Sequence, residues 1–186
     1  EGSCPWKQTA MSKLEEAGIQ NATEVYENLK QECNGNLNEV IKKINEEYVN
    51  FGTRYDNASD ITRSMRENKP KNSRNIEKWY KLGGTISIDE NNVWTYHDRN
   101  GNSVRYINGF ADFLGAGLVD DYVDLGGFVD RNYDFAEARR RGKIIADENT
   151  WHHSHDGRTL QSVNTELHKL FTHRGGISLL TSWLSQ

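Results

Sequence analysis

The chain has 186 residues, a length that fits one domain, or one domain with a smaller companion. Hydrophobic residues make up 35% and charged residues 27%, which predicts a modest core and helices with a wide solvent face. The net charge of −4 does not indicate a general nucleic-acid-binding surface, although Arg139, Arg140, Arg141 and Lys143 form a local basic cluster. No apolar run approaches the roughly 20 residues of a membrane helix, so we predict no membrane-spanning segment.

The N-terminal sequence EGSCPWKQTA has neither an initiator Met nor the basic and apolar regions of a signal peptide. We therefore expect this chain to be a piece of a longer polypeptide. Cys4 and Cys33 are its two cysteines. They form a single disulfide if the protein passes through an oxidising compartment and stay thiols otherwise, and the sequence leaves both alternatives open.

The N-terminal part is predicted to be helical. Residues 10–31 and 36–50 form the first two helical segments, with Gly18 interrupting the first. In the second, apolar residues recur every three or four positions, which gives a stripe that can pack on a core. The polar residues 55–70 are expected to continue the helical character, and residues 69–75 read as a linker.

The pattern changes after this linker. Residues 84–107 alternate apolar and polar side chains around Asn100-Gly101, which predicts a β-hairpin. Residues 108–132 are rich in Gly and Asp and are expected to form a long loop with short ordered pieces, and residues 134–145 a helix that stops at Gly142. We predict an α+β fold with a helical N-terminal region, residues 1–72, followed by a mixed domain, residues 73–186.

Five of the six histidines fall within residues 148–173. On a strand, the adjacent His152 and His153 point to opposite faces. Asp156-Gly157 predicts a turn, residues 159–163 a second strand, and Asn164 the N-cap of a short helix that contains His168 and is closed by Gly175-Gly176. The segment is thus predicted to be a ββα unit.

Two of these histidines, His168 and His173, lie five positions apart in the sequence, which on a regular helix places their side chains about 140° apart. We therefore expect His173 at the frayed end of the helix or just past it. Imidazoles from the first strand and the helix then project into one space and can hold a divalent cation. Ordinary surface or core histidines, and a structural zinc site closed by four histidines, are the competing explanations.

These motifs resemble the WHH group of the HNH/endonuclease VII superfamily, over roughly residues 105–180. The resemblance is carried by Trp151-His152-His153, Gly157-Arg158-x-Leu160-Gln161-x-Val163, Leu167-His168 and His173-x-Gly175-Gly176, with weaker support from residues 109–113 and 134–140. It implies a ββα-metal nuclease that serves as the C-terminal toxin domain of a bacterial polymorphic toxin, including contact-dependent growth inhibition effectors.

The resemblance also implies roles for individual residues. His152, His168 and His173 would hold one divalent metal ion, with Zn²⁺ favoured and Mg²⁺ or Ni²⁺ as alternatives. His153 would be the general base, and Gln161 stands where many HNH nucleases have the Asn that orients the base. Trp151 is expected to pack in the core, His155 to lie outside the site, and His97 to be an ordinary strand residue.

Four arginines are candidates for binding the substrate: Arg158 and Arg174 as phosphate clamps, and Arg139 and Arg140 as contacts to the flanking nucleic-acid backbone. Each also fits a solvated surface charge.

The leading hypothesis is a DNA-cleaving toxin, delivered from the producing cell as part of a secreted or surface-bound polypeptide, acting in the target-cell cytoplasm and neutralised by a cognate immunity protein. Residues 1–72 would assist import, through a receptor on the target cell, or connect to the delivery protein. An RNA-cleaving toxin, a zinc-stabilised binding module without catalysis, and a hydrolase of small phosphoesters are the alternatives.

Overall fold

The computed structural model describes residues 4–177, in which two compact units can be distinguished. The first contains the chain up to Lys69, then Asn75–Ile107 and Asp112–Leu118; the second contains Pro70–Arg74, Asn108–Ala111 and the chain from Val119 onward. These bounds differ from the predicted regions 1–72 and 73–186, because a strand before residue 72 pairs with one after it. The division into regions of separate function stays a prediction.

The first unit begins with three helices, α1 (Pro5–Glu16), α2 (Ala22–Glu32) and α3 (Leu37–Glu47). The predicted interruption at Gly18 is confirmed, since its φ of 79° is a left-handed conformation that ends a helix. The side chain of Asn36 caps α3 by accepting the Glu39 N–H. The helices enclose their own apolar cluster, in which Val40, Ile41 and Ile44 are fully buried. Cys4 and Cys33 are both free thiols.

The prediction of a helical segment over residues 55–70 is wrong. This stretch holds the strand β1 (Thr53–Tyr55), a single 3-10 turn (Ala58–Asp60) and the one-turn helix α4 (Arg63–Arg66). Asn57 and Thr62 each accept a hydrogen bond from a backbone N–H three residues on, so each starts a new turn and no long helix forms. After the linker, Asn75 caps a further helix, α5 (Ile76–Lys81), which had not been predicted.

The strands of the first unit form an antiparallel meander in the order β1, β2 (Thr85–Ile88), β3 (Trp94–His97) and β4 (Ser103–Ile107). The hairpin between β3 and β4 turns at Gly101, whose φ is 86°, as predicted. His97 donates to and accepts from its neighbours within this sheet, with Ser87 Oγ 2.8 Å from its Nε2 and Ser103 Oγ 2.7 Å from its Nδ1.

The second unit contains six elements in chain order: β5 (Phe110–Ala111), β6 (Val119–Asp124), α6 (Arg131–Arg140), β7 (Asn149–His153), β8 (Thr159–Asn164) and α7 (Thr165–Leu170). The strands β6, β8 and β7 form an antiparallel sheet with β8 in the centre. The short ordered pieces expected within residues 108–132 are β5 and β6. The sequence did not identify β6 as a strand, because a register shift and three aspartates hide the alternation around its buried Val119 and Val123.

One face of this sheet packs against α6. Val123, Phe128, Ala138 and Leu160 are buried there, and Trp151 packs against them, which confirms its predicted place in the core. α6 begins three residues earlier than predicted, because Asp130 caps it by accepting the Tyr133 N–H, and Gly142 follows its end with φ 81°. Helices and antiparallel sheets together confirm the α+β class. Within residues 4–177 no helix has both the length and the apolarity to cross a membrane.

Candidate metal centre

The ββα unit predicted around the histidines is present as β7, β8 and α7. Gly157 makes the turn between the strands with φ 76°, and the Asp156 carboxylate holds the turn by accepting the N–H groups of Arg158 and Thr159 at 2.8 Å each. The Asn164 Oδ1 accepts the Leu167 N–H at 3.1 Å and starts α7 directly after β8. Short local hydrogen bonds therefore set the direction of the helix relative to the hairpin.

Three imidazoles meet in this unit. His152 comes from the end of β7, His168 from α7 and His173 from the chain just past that helix, as the five-residue spacing predicted. One ring nitrogen from each lies within 4.8 Å of the others, and the ring centroids are 4.7 to 5.2 Å apart. Three nitrogens at this spacing can bind the same ion after small rotations of the rings.

The segment after α7 fixes the position of His173. The helix ends at Leu170, so the predicted closure by Gly175-Gly176 is wrong. Gly176 instead donates its N–H to the His153 carbonyl at 2.8 Å, which brings the chain back onto β7. A Cβ at Gly176 would lie 1.9 Å from the Ser154 carbonyl oxygen, so only glycine fits this approach.

The three imidazoles are held in the neutral form that a metal ligand requires. Burial lowers the pKa of His152 well below its usual value, and the neighbouring histidines lower it further. Burial also lowers the pKa of His173, and it lowers that of His168 to about 4. Neutral imidazoles keep a lone pair for a cation at neutral pH.

The tautomer of His173 also fits a metal ligand. Its Nδ1 lies 2.6 Å from the Phe171 carbonyl oxygen, which can only accept, so Nδ1 carries the hydrogen and Nε2 keeps the lone pair. The group that the described residues form has three nitrogen donors, from the buried His152 and the half-buried His168 and His173, and no fourth histidine, cysteine or carboxylate. Such a set fits a divalent ion with coordination positions left for solvent or substrate. This set does not support the alternative of a zinc site closed by four histidines.

His153 lies on the other side of the β7 pleat, as predicted. Its ring packs against the rings of Phe128 and Phe135, with centroids 4.5 and 5.5 Å away. Its Nε2 lies 3.0 Å from the Asp134 Oδ2, and both side chains are almost completely buried. Burial lowers the pKa of His153, and the hydrogen bond with the Asp134 carboxylate opposes that effect.

The partner of His153 was not predicted from sequence. Gln161 was expected to orient it, but Gln161 pairs with His152 across β7 and β8, so the two share a face and His153 faces the opposite side. Asp134 takes that position from the first turn of α6, where Oδ1 also accepts the Val129 N–H at 3.0 Å. Asp134 is next to an aromatic residue on a short helix, and nothing in this local sequence identifies it as the partner of His153.

A cavity of about 500 Å³ opens beside the histidines. Its lining includes the three clustered histidines, His153 and two cationic residues, Arg131 and Lys169, which sequence reasoning did not select. Arg131 stands at the start of α6 and Lys169 next to His168, so both can bring positive charge to an anion in the cavity.

The predicted phosphate-binding arginines lie outside the lining of this cavity. Arg158 donates to the Asp124 carboxylate at 2.8 Å, and Arg174 stacks 5.1 Å from the Phe110 ring centroid. Arg140 pairs with Glu137, and Arg139 is exposed on α6. Their roles stay predictions.

His155 was expected to lie outside the site. It is exposed and is not one of the three clustered imidazoles, and its ring lies 6.0 Å from that of Phe110. It is close enough to His152 for its charge to help lower the pKa of that ring.

A ββα unit that brings three neutral imidazoles to one point, with a further histidine paired to a buried carboxylate beside them, can hold a divalent metal ion next to a candidate base. Residues 142–182 match a family model described as a nuclease of the HNH/ENDO VII superfamily with conserved WHH. No curated protein and no solved structure matches the chain.

The family match confirms the resemblance seen in the sequence and covers the whole ββα unit, while residues 105–141 lie outside it. The match over this segment supports nuclease activity, and therefore a nucleic-acid substrate. Nucleases of this superfamily depend on a metal ion.

Proposed function

We propose that this protein is a metal-dependent endonuclease toxin that hydrolyses phosphodiester bonds of DNA in target bacteria and is neutralised by a cognate immunity protein. The observation that carries the nuclease part is the convergence of His152, His168 and His173 within 4.8 Å beside the buried His153–Asp134 pair. The toxin role, the immunity protein, delivery from outside and action in the target-cell cytoplasm rest on the resemblance to the WHH group.

His153 is the group that we assign to proton removal. Because the Asp134 carboxylate accepts the hydrogen bond, the Nε2 of His153 carries the hydrogen and Nδ1 keeps its lone pair. Since burial lowers the pKa of His153, the ring is neutral at cytoplasmic pH and Nδ1 can take a proton from an attacking water.

The remaining groups bind and position the phosphate. His152, His168 and His173 would hold a divalent ion, most simply Zn²⁺, which when bound supplies Lewis-acid stabilisation of the charge that builds up on the phosphate oxygens. Arg131 and Lys169 supply positive charge at the cavity for the flanking phosphates. These two residues give a nucleic acid a cationic contact surface despite the chain's net charge of −4.

The nuclease is tested with supercoiled plasmid and with total RNA as substrates, in the presence of Zn²⁺, Mg²⁺, Ni²⁺ or EDTA. We expect the wild-type protein to nick plasmid DNA with a metal present and to lose this activity in EDTA. His153→Ala should abolish cleavage while zinc binding and folding survive. His155→Ala is the matched control, because that histidine is exposed and outside the cluster, and it should cut at the wild-type rate.

The outcomes separate the competing functions. Cleavage of RNA but not plasmid would replace DNA by RNA as the substrate. Zinc binding without cleavage of either substrate would favour a binding module, and plasmid cleavage by His153→Ala at the wild-type rate would remove the assigned base.

The toxin role is tested separately by inducing the chain inside a bacterium. We expect growth arrest with wild type and normal growth with His153→Ala. Co-expression with the open reading frame that follows it should restore growth if that frame encodes the immunity protein.

A further inference from the structure

A second polar cavity, of about 540 Å³, lies within the first unit. None of the residues assigned to the proposed nuclease function belongs to this unit. We call it the α1–β4 cavity, after the elements that supply its two cations. Its polar and charged lining is Lys13, Glu16, Tyr48, Asn50, Asp89, Asn91 and Arg105. The volume falls in the range of about 300 to 1,000 Å³ that is usual for small-molecule sites.

Among residues 4–177, neither cation of this cavity has a carboxylate within ion-pair distance, although Glu16 and Asp89 also line the cavity. Neither Lys13 nor Arg105 takes part in an ion pair or donates a side-chain hydrogen bond within that range, although both side chains are partly buried. The Nε of Arg105 is completely buried without any hydrogen-bond partner there. A buried cationic donor left in this state is costly, and native proteins contain few of them.

The neighbours of Arg105 hold it in place without neutralising it. Its guanidinium lies 5.3 Å from the ring centroid of Phe51, a contact that fixes the plane of the group but leaves its N–H groups unsatisfied. Thr95 faces Arg105 directly across β3 and β4, and its Oγ1 is likewise buried without a partner. Two adjacent polar groups on one face of the sheet therefore both lack an internal hydrogen bond.

The charge of Lys13, on α1, is also incompletely compensated by its surroundings. Burial lowers its pKa, and although the charges of Asp112 and Glu16 oppose this effect, the positive charge of Arg105 adds to it. An anion between the two cations would relieve their repulsion.

We propose that the α1–β4 cavity binds a small anionic molecule, with its phosphate or carboxylate group between the Lys13 ammonium and the Arg105 guanidinium. The shared chemistry is an oxyanion that accepts several charge-assisted hydrogen bonds. The side-chain amides of Asn50 and Asn91 supply neutral hydrogen-bonding groups for the rest of the molecule.

The test is the thermal unfolding and calorimetric titration of the full chain with low-millimolar inorganic phosphate or succinate. Ionic strength is held constant with chloride, because phosphate at high concentration stabilises proteins without binding to a site. We expect saturable binding and a rise in Tm of at least about 2 °C with one or both anions. A response to phosphate alone or to succinate alone supports the proposal and assigns the anionic group.

The variants distinguish this site from a purely structural role. Lys13→Met and Arg105→Met should both lose the response. Lys13→Met should also be at least as stable as wild type without anion, because it removes a buried charge that has no partner, whereas a structural lysine would destabilise the protein when replaced. Lys81→Met is the matched control at an exposed position outside the cavity and should respond as wild type does.

A further readout needs no variant. The buried Nε–H of Arg105 gives its own signal in ¹H–¹⁵N spectra, and this signal should move during the titration of the wild-type chain. The absence of saturable binding with both anions would overturn the proposal, as would a saturable response that survives both methionine substitutions. Neither result bears on the nuclease, whose test uses plasmid cleavage.

Discussion

Replacing Asp134 by Asn tests the arrangement of His153 more sharply than removing the histidine. The Asp134 side chain is buried and makes two hydrogen bonds, accepting the Val129 N–H at 3.0 Å and facing the His153 Nε2 at 3.0 Å. Asparagine has the same shape, so its oxygen can keep the bond from Val129. Its amide nitrogen then faces Nε2 and can only donate.

The donating amide reverses the tautomer of His153. Nε2 must accept, so Nδ1 carries the hydrogen and can no longer take a proton from water. Loss of a general base costs about 100-fold to 10,000-fold in rate, and we expect kcat of Asp134→Asn to fall within that range with KM little changed. The stability loss should be only about 1 to 2 kcal/mol, because one hydrogen bond to a charged group is replaced by a neutral one.

The assay is plasmid nicking under metal saturation, with zinc affinity and urea unfolding measured on the same preparations. Asp147→Asn, at an exposed position outside the helices and strands, is the matched control and should behave as wild type. If Asp134→Asn cuts plasmid within a few-fold of the wild-type rate while remaining folded, His153 does not depend on this carboxylate for its tautomer, and our assignment of Nδ1 fails.

Three other predictions concern the metal centre. The metal-free protein should lose stability as pH falls from about 6.5 to about 4. The cause is that the pKa of His168 is about 4 in the folded state, whereas the unfolded chain takes up this proton near pH 6.5. A urea midpoint that does not change between pH 7 and pH 5 would contradict this prediction. Gly176→Ala should weaken zinc binding, measured by calorimetric titration, about 10-fold, because it displaces the segment that carries His173. Gly175→Ala is the control and should bind zinc as wild type does, because a Cβ at Gly175 meets no atom within 4 Å. Asn164→Ala should cost about 1 kcal/mol in urea unfolding through loss of the α7 cap, and an unaltered midpoint would show that the cap is dispensable.

The ββα unit could be predicted from sequence because its signals are local. The turn at Gly157, the cap at Asn164 and the alternation along both strands each involve residues close in the chain. The position of His173 followed from helical geometry alone, since a five-residue step cannot keep two side chains on one face of a regular helix. The spacing therefore predicted where His173 would lie, whereas the choice of His152, His168 and His173 as the three ligands came from the resemblance to the WHH group.

Contacts between distant residues could not be predicted in this way. Asp134 and His153 are 19 positions apart on different elements, and only packing of α6 on the sheet brings them together. The alternation of β6 is broken by its register shift at Val119 and Asp121, so an actual strand looked like an Asp-rich loop. Over residues 55–70, the polar composition suggested a single helix. Two N-caps only five positions apart, at Asn57 and Thr62, each begin a new turn, so no long helix forms there.

All three candidate ligands lie between His152 and His173, on one hairpin and the helix that follows it directly. Closing so short a loop costs little chain entropy, and elements of this kind fold quickly. If the chain is delivered unfolded through a membrane, as the proposed toxin function implies, this short stretch can re-form the ion-binding pocket early, and binding of the ion then stabilises the folded state.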